Sequence, residues 1–250
     1  MAKVTTLLQA ARDFVAANVK PQFHDQRLAS LERLELDDIL RRKNPYLFRA
    51  KAVIAAPDMV KQLLDAHLSS NEETLFGRFL EELAVEVCRI SFGGHKSASE
   101  GIDLEFVRVG KRYAVSIKSG PNWGNSSQIA RMMDNFNRVR RVAKQGKVDL
   151  ECVNGCCYGK DASPVKNGYL KLCGQDFWSL ISGDEEIYQA LIEPLGHTAK
   201  ERNEEFAEAY AKAQTRFTVK FVDGFCLSDG GIDWAKLLKF NSGSKDPWRP

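Results

Sequence analysis

The stretch that decides the fold is Gly101-Ile102-Asp103-Leu104-Glu105-Phe106, followed after a short polar loop by Tyr113-Ala114-Val115-Ser116-Ile117-Lys118-Ser119-Gly120. Apolar and polar residues alternate in both runs, which is typical of β-strands whose successive side chains point to opposite faces. The two runs therefore predict a β-hairpin that carries Asp103, Glu105 and Lys118 on one polar face.

The turn of this hairpin sets which residues face each other. We predict a two-residue turn at Gly110-Lys111, because glycine tolerates a positive φ. Antiparallel pairing around that turn places Asp103 opposite Lys118. It also places Glu105 opposite Ser116, whereas a three-residue loop would shift the pairing by one residue. An edge hairpin with a solvated polar face and a weak surface ion pair is the alternative interpretation.

Composition limits the classes of protein that the chain can be. Its 250 residues can bury a sizeable core, and 44% hydrophobic with 28% charged residues is ordinary for a soluble globular domain. The net charge of +3 is too small to indicate a nucleic-acid partner by itself. No apolar run approaches the roughly 20 residues that span a bilayer, and the first residues lack a signal-peptide pattern. These features predict a cytoplasmic protein without a membrane partner.

Cysteine usage favours a reduced protein. A disulfide framework is not expected in a chain of this length without a secretion signal. Several cysteines lie between residues 152 and 173, where they suggest a zinc-binding site. Adjacent cysteines without a Cys-x-x-Cys pair nevertheless suit a tetrahedral zinc site poorly. Buried structural thiols are the favoured interpretation. The six cysteines are Cys88, Cys152, Cys156, Cys157, Cys173 and Cys226.

The N-terminal third is predicted to be helical. Apolar spacing predicts helices over residues 5–19, 30–42 and 57–68. Ser70 followed by Glu73 fits a capping box, which predicts that a separate helix begins there and runs to about Ile90. Glu81 lies beside the apolar stripe of that helix, where its carboxylate can reach a neighbouring sheet.

A loop and a basic helix follow the hairpin. Residues 119–127 are rich in glycine and serine, and residues 128–143 have helical spacing with arginines outward. Backbone N–H groups at a helix start, together with hydroxyls and basic side chains, suit a phosphate backbone. A solvated basic helix face is the alternative.

The order of elements predicts the fold class. A further strand is expected over residues 147–153, and another over Phe217–Phe221 among C-terminal helices. Two strands, a helix and a strand behind an acidic helix indicate an α/β (α+β) fold with a central mixed sheet flanked by helices and a helical N-terminal region.

The hairpin and the acidic helix together suggest metal-dependent phosphodiester hydrolysis. Magnesium prefers oxygen ligands and keeps several waters, so two carboxylates and a carbonyl suffice from the protein. We predict Asp103 and the Ile117 carbonyl as ligands, with Glu81 or Glu105 as the second carboxylate. Lys118 would orient the nucleophilic water or stabilise charge on the phosphorane.

Short motifs resemble known nucleases. The series Gly77 to Glu81, Glu100 to Asp103 and Ser116 to Lys118 resembles the PD-(D/E)XK nuclease pattern. Longer strings resemble type II restriction endonucleases of the PmeII-like group, and that likeness spans about residues 20 to 240. The strings are residues 44–51, 117–128 and 153–159.

This resemblance implies a bacterial restriction-endonuclease-like core that uses Mg²⁺ to cut double-stranded DNA within a short sequence. The enzyme would act as a homodimer, leave 5′-phosphate and 3′-hydroxyl ends, and be paired with a DNA methyltransferase. Residues 1–70 would form a helical region packed on the core, residues 71–160 the nuclease core, and residues 161–250 a part of the same domain for DNA recognition and dimerisation. A structure-specific repair or junction nuclease is one alternative, and a catalytically decayed DNA-binding module is another.

Ser116 departs from the superfamily pattern, in which aspartate or glutamate usually stands at this position. The resemblance implies that a carboxylate is recruited from elsewhere. The predicted register offers Glu105, opposite Ser116, and Glu81 is another donor; Ser116 is also the best argument for a decayed site. Amide and basic side chains can read base edges or bind phosphates. The predicted DNA-binding residues are Asn122, Asn125, Ser126, Gln128, Arg131, Arg138 and Lys160.

Overall fold

A computed structural model describes residues 2–196 and 199–244. The chain divides into two compact units. Unit 1 comprises Met1–Phe23 and Thr74–Ala199, and unit 2 comprises His24–Glu73 and Lys200–Pro250. In the described ranges, no helix combines the length and apolar character needed to cross a membrane.

Helices precede the sheet. They are α1 (Ala2–Val19), α2 (Asp25–Glu32), α3 (Leu36–Arg42), α4 (Pro45–Ala50) and α5 (Ala56–Phe92), with a π-helical turn Lys20–His24 between α1 and α2. The predicted break before Ser70 is wrong, since α5 is one helix of 37 residues. The Ser70 hydroxyl donates to the Ala66 carbonyl inside the helix. Buried residues continue on both sides of it, with Leu68 before and Leu75 after.

Five strands form the central sheet, which confirms the predicted mixed α/β class. Its order is β1-β2-β3-β5-β4, with β2, β3 and β5 mutually parallel and both outer strands antiparallel to their neighbours. Helix α6 is the crossover that parallel pairing of β2 and β3 requires. The bounds are β1 (Leu104–Arg108), β2 (Lys111–Lys118), α6 (Ser126–Gln145), β3 (Leu150–Cys156), β4 (Val165–Lys166) and β5 (Tyr169–Cys173).

The sheet of unit 1 is buried on both faces. On one face Val115 and Val153 pack in a core with Phe79 of α5. On the other face Ala114 packs with Phe136 of α6. This layering explains why β2 and β3 are so apolar, and it leaves polar side chains at the strand ends.

The hairpin forms as predicted, but its predicted register is wrong. Leu104 lies opposite Val115, and Glu105 lies opposite Ala114 rather than Ser116. The turn is Val109-Gly110, where both residues have positive φ, 50° and 75°. Positive φ at both central residues is the geometry that matches strand twist in a two-residue hairpin. The turn begins one residue earlier than predicted, so each β1 residue pairs with a β2 residue two positions earlier than predicted. A shift of two positions keeps the paired side chains on the predicted faces.

Strand β1 also begins later than the alternation suggested. Leu104 and Phe106 share the core of Val115, as predicted. Ile102 lies before the strand and packs in the core on the α6 face, so its predicted face is wrong.

Helices complete the chain after the sheet. They are α7 (Gln175–Ser182), α8 (Ile187–Ala190), α9 (Ile192–Gly196), α10 (Ala199–Phe225) and α11 (Trp234–Ser242). The predicted strand at residues 217–221 is wrong, because this segment belongs to α10. Phe217 and Phe221 are one helical turn apart, and both are buried in the core of unit 2.

Candidate active site

Asp103 lies immediately before β1 and is held by the end of β2. Its N–H donates to the Val115 carbonyl at 2.8 Å. Its Oδ2 accepts the Ile117 N–H at 2.6 Å and lies 3.4 Å from the Ser116 hydroxyl. Lys118 Nζ is 3.8 Å from the same oxygen. Every one of these side-chain contacts uses Oδ2, so Oδ1 has no hydrogen-bond partner among the described residues.

Glu81 of α5 shares the electrostatic environment of Asp103. Burial raises the pKa of Glu81, and the negative charge of Asp103 raises this pKa further. The positive charges of Lys96 and Lys118 act in the opposite direction. Lys96 Nζ lies 3.9 Å from the Glu81 carboxylate. The structure thus brings Glu81, Asp103 and Lys118 together, as expected for one site.

Glu105 belongs to a different set of contacts. Its carboxylate is buried and accepts hydrogen bonds from the Ser97 hydroxyl and from the Arg112 guanidinium, including Arg112 Nε at 3.0 Å. Burial alone would raise the pKa of Glu105, but these hydrogen bonds outweigh burial and the pKa is lowered. The backbone of Glu105 pairs with His95. The described contacts therefore join Glu105 to Ser97 and Arg112 instead of Asp103.

Trp123 and Asn154 complete the surroundings of the lysine. Lys118 Nζ lies 5.2 Å from the centre of the Trp123 ring system. The Trp123 indole N–H donates to Asn154 Oδ1 at 3.0 Å, and Asn154 Nδ2 donates to the Ser116 carbonyl at 3.3 Å. Asn154 is 1% exposed. The sequence patterns did not single out Trp123 or Asn154 as functional residues. Asn154 could have been noticed, because it is a polar residue inside the apolar run of β3.

The backbone that leaves β2 is closely packed. Lys118 and Ser119 carbonyls accept the N–H groups of Cys157 and Tyr158 at 2.9 and 3.1 Å. A Cβ on Gly120 would collide with the Tyr158 ring, which would have to move to admit another residue. This packing fixes the start of the loop that carries Trp123.

The start of α6 uses several predicted DNA-binding residues for its own cap. Asn125 Oδ1 accepts the Gln128 N–H at 3.0 Å, and Gln128 Oε1 accepts the Asn125 N–H at 3.0 Å. This is a reciprocal capping box. The amide NH₂ groups of both side chains stay available as donors. Ser126 and Asn122 are exposed beside them.

The remaining predicted DNA-binding residues are exposed basic side chains. Arg131 and Arg138 of α6 both contact Glu100, at 2.9 and 3.4 Å. Glu100 precedes the Asp103 loop, so the basic face of α6 lies beside the hairpin. Lys160 is exposed in the segment after β3.

The described cysteines are free thiols, and all are buried except the half-buried Cys226. Cys156 and Cys173 are neighbours on adjacent strands. Burial raises the pKa of Cys152 to about 11 and that of Cys156 to about 12. These thiols are therefore protonated at neutral pH.

The donors at the hairpin suit a hard cation. In the described part of the chain, no group of three His, Cys, Asp or Glu side chains could hold a metal ion. Two carboxylates, Asp103 and Glu81, nevertheless interact strongly enough for one to raise the pKa of the other. A divalent cation would relieve this repulsion, and Asp103 Oδ1 is free to contact it. The residues present therefore fit Mg²⁺.

The mixed sheet, with an acid and a lysine at one end of its hairpin and a glutamate from the adjoining helix, is consistent with a restriction-endonuclease-like core. Comparison with protein families matches residues 9–203 to type II restriction endonuclease EcoO109I. The match covers well over half of the chain, which therefore belongs to this family of restriction endonucleases. No curated protein matches the chain.

Proposed function

We propose that the chain is a sequence-specific, Mg²⁺-dependent endonuclease of double-stranded DNA. The observation that carries the proposal is the convergence of Asp103, Glu81 and Lys118 at one end of the hairpin in a member of a restriction endonuclease family. The narrower likeness to the PmeII-like group, the bacterial cytoplasm and a partner methyltransferase stay predictions.

Asp103 and Glu81 would hold the cation, with the Ile117 carbonyl as a further ligand and Glu105 as the alternative carboxylate. Bound Mg²⁺ supplies Lewis-acid chemistry, since it polarises a phosphoryl oxygen and lowers the pKa of a water. We favour Glu81 over Glu105 because Glu81 interacts with Asp103, whereas Glu105 is neutralised by Arg112.

Lys118 would stabilise the negative charge that develops on the oxygens of the phosphorane. A preorganised cation in a partly dry site stabilises a transition state more than the same charge in water. Lys118 is preorganised by Asp103 on one side and by the Trp123 ring on the other. Ser116 is buried and directs its hydroxyl towards Asp103, so it would orient that carboxylate.

Cutting both strands of a symmetric site requires two active sites related by a two-fold axis, which supports a homodimer. The assignment of residues 161–250 to recognition and dimerisation is part of this proposal. The products would carry 5′-phosphate and 3′-hydroxyl ends.

The test is digestion of a long DNA of known sequence with Mg²⁺, followed by mapping of the ends. Lys118→Ala should abolish cleavage and leave DNA binding intact. Lys111→Ala is the matched control, because Lys111 lies at the far end of the same strand and pairs with Glu151. Normal cleavage by the Lys118 variant would overturn the mechanism.

The same digestion separates the competing functions. Discrete fragments with common end sequences would support restriction. Cleavage confined to branched or damaged substrates would identify a structure-specific nuclease. Binding without cleavage by the wild-type protein would identify a decayed DNA-binding module.

A further inference from the structure

Unit 2 carries a concentration of positive charge to which the proposed mechanism gives no role. Residues 41–51, Arg-Arg-Lys-Asn-Pro-Tyr-Leu-Phe-Arg-Ala-Lys, include five basic residues and no acidic one. These five charges exceed the net charge of +3 of the whole chain. We call residues 41–51 the basic segment.

The basic segment is anchored in the core of unit 2. Phe48 is buried among the unit 2 helices, and Pro45 is buried at the start of α4. The Asn44 side chain accepts the Tyr46 N–H at 3.0 Å, which fixes the turn between α3 and α4. Tyr46 remains 64% exposed. The segment therefore presents its polar side chains from a fixed backbone.

No basic side chain of the segment makes an ion pair with a described residue, although Lys43 is half-buried and donates to the Ala66 carbonyl at 2.8 Å. Arg42 and Lys51 are exposed and make no ion pair with any described residue. Arginine can bind phosphate through its N–H edge while its plane rests on an aromatic ring. The Arg41 guanidinium lies 5.3 Å from the Phe240 ring centre, and that of Arg49 lies 5.4 Å from Trp234.

Three basic side chains of the segment border a groove of about 480 Å³ in unit 2. Arg42, Lys43 and Lys51 line it together with Asn44 and Gln62.

Asp65 contributes a carboxylate to the same groove. It is engaged elsewhere, since it accepts from Lys61 at 2.6 Å and from the Tyr210 hydroxyl at 2.7 Å. Burial lowers the pKa of nearby His67, and the charges of Lys43 and Arg42 lower it further. The groove is therefore net positive.

Helix dipoles favour basic residues in the last turns of α3 and α4, which is the purely structural explanation. That explanation does not account for the complete lack of aspartate and glutamate from residue 39 to residue 57.

We propose that the basic segment of unit 2 binds the phosphate backbone of DNA. The inference rests on the proposed function, because it takes DNA as the substrate. Phosphate contacts carry no sequence information, so the segment would contribute affinity without selecting a site.

The test uses the full chain and a DNA duplex without Mg²⁺, so that binding is measured without cleavage. Arg42→Gln with Lys51→Gln should weaken binding on the order of tenfold at low salt, equally for duplexes with and without the cleavage site. The slope of log affinity against log salt should fall by about two, since each lost phosphate contact removes about 0.9.

Two further double variants test whether the effect is specific to the basic segment and to its charge. Arg33→Gln with Arg89→Gln removes the same charge from exposed positions outside the basic segment and outside residues 161–250, and should leave the slope unchanged. Arg42→Lys with Lys51→Arg keeps the charge and should keep wild-type binding.

An unchanged salt slope in the variant with glutamine at both Arg42 and Lys51 would overturn the proposal, as would equal weakening in the Arg33/Arg89 control. A change of oligomeric state without a change in slope would also overturn it and would indicate a protein interface. Wild-type protein that fails to bind DNA would refute the proposed function itself, whereas normal wild-type binding with an unaffected double would refute only this inference.

Discussion

At the residue scale, Glu81 and Glu105 are two partly or fully buried carboxylates with opposite electrostatics. The pKa of Glu81 is raised by burial and by Asp103, so its ionised form lowers the stability of the fold. The pKa of Glu105 is lowered because the hydrogen bonds from Ser97 and Arg112 outweigh burial, so its ionised form stabilises the fold.

We therefore expect opposite outcomes from two conservative variants. Glu81→Gln should raise the melting temperature at neutral pH and reduce cleavage by at least about a hundredfold, because a ligand is lost. Glu105→Gln should lower the melting temperature by the equivalent of about 1–3 kcal/mol, because a buried charged hydrogen bond is lost. It should still cleave below its melting temperature. Melting curves and cleavage rates measure both effects.

The pH dependence follows from the same shifts. For Glu81, the destabilisation is complete above its folded pKa and disappears as the pH falls below its ordinary value of 4.5. For Glu105, the stabilisation is complete above 4.5 and is lost as the pH falls through its lower folded pKa. Both variants should therefore approach wild-type stability in acid. Loss of cleavage in Glu105→Gln with unchanged stability would instead make Glu105 the metal ligand.

Trp123 offers a second test at this scale. Its ring faces the Lys118 ammonium, an interaction worth about 0.5–1 kcal/mol at a partly exposed site. Trp123→Ala should lower kcat by roughly fivefold with little change in KM, because the lysine is less well held. Trp123→Phe keeps the ring face and should retain most of the rate. Steady-state cleavage of a short duplex separates kcat from KM, and equal losses in both variants would contradict a role for the ring face.

At the element scale, α6 joins the sheet to the proposed DNA surface. Its N-terminus is closed by the capping box of Asn125 and Gln128, so the predicted DNA contacts at this point are also structural. An alanine variant of such a residue loses the helix cap and any DNA contact together. A loss of DNA binding by that variant would therefore not show which of the two roles matters.

Two substitutions at Asn125 separate the roles. Asn125→Ala should destabilise the protein by about 1 kcal/mol, because the cap is lost. Asn125→Asp preserves the cap, since a carboxylate also accepts from the Gln128 N–H and favours a helix N-terminus. If Asn125 meets a phosphate, the aspartate variant will bind DNA more weakly at unchanged melting temperature. Unchanged binding by the aspartate variant would leave Asn125 with a capping role alone.

The hairpin shows why elements can be foreseen more easily than their pairing. Alternation predicted both strands, but it started β1 too early and placed Ile102 on the wrong face. The turn was misplaced because Val109 takes a positive φ that β-branched residues avoid, while Gly110 supplies the second turn position. A shift of two positions keeps each side chain on its face, so alternation alone does not distinguish the two registers, and Leu104 packs in the same core as Val115 and Ile117.

At the scale of the whole molecule, the thiols report on the integrity of the fold. Cys226 is half-buried, whereas Cys88, Cys152, Cys156 and Cys157 are buried. Burial raises the pKa of Cys88 to about 12, so thiolate is scarce there as well as shielded.

We expect Cys226 alone to react quickly with an aromatic disulfide reagent in the native state, and all six thiols to react after unfolding. Cys226→Ser should remove the fast phase and leave the melting temperature nearly unchanged. Reagent absorbance against time measures the phases. A chelator should not accelerate the slow thiols, and acceleration would indicate a structural metal held by them.

The long helix α5 is the clearest case of the whole molecule overriding a local signal. Ser70 and Glu73 fit a capping box, but the helix runs through them. Apolar residues before this point pack in unit 2 and those after it pack in unit 1, so burial along the helix outweighs a local cap. The same reason places Phe217 and Phe221 in a helix, because both fill the core of unit 2 from one face.

The sequence by itself determined the α/β class and the hairpin, because period-two alternation is a local property of the chain. Asp103 and Lys118 lie near each other although their predicted direct pairing was wrong, because an antiparallel hairpin brings the start of its first strand to the end of its second. It left open whether Glu105 or Glu81 accompanies Asp103. Only the tertiary structure indicated Glu81, because that choice depends on a turn placed by core packing, on Arg112 neutralising Glu105 and on α5 bringing Glu81 to the end of the hairpin. The contact between Trp123 and Asn154 was likewise decided by the fold, since it joins the loop after β2 to strand β3 and no local pattern predicts that distance.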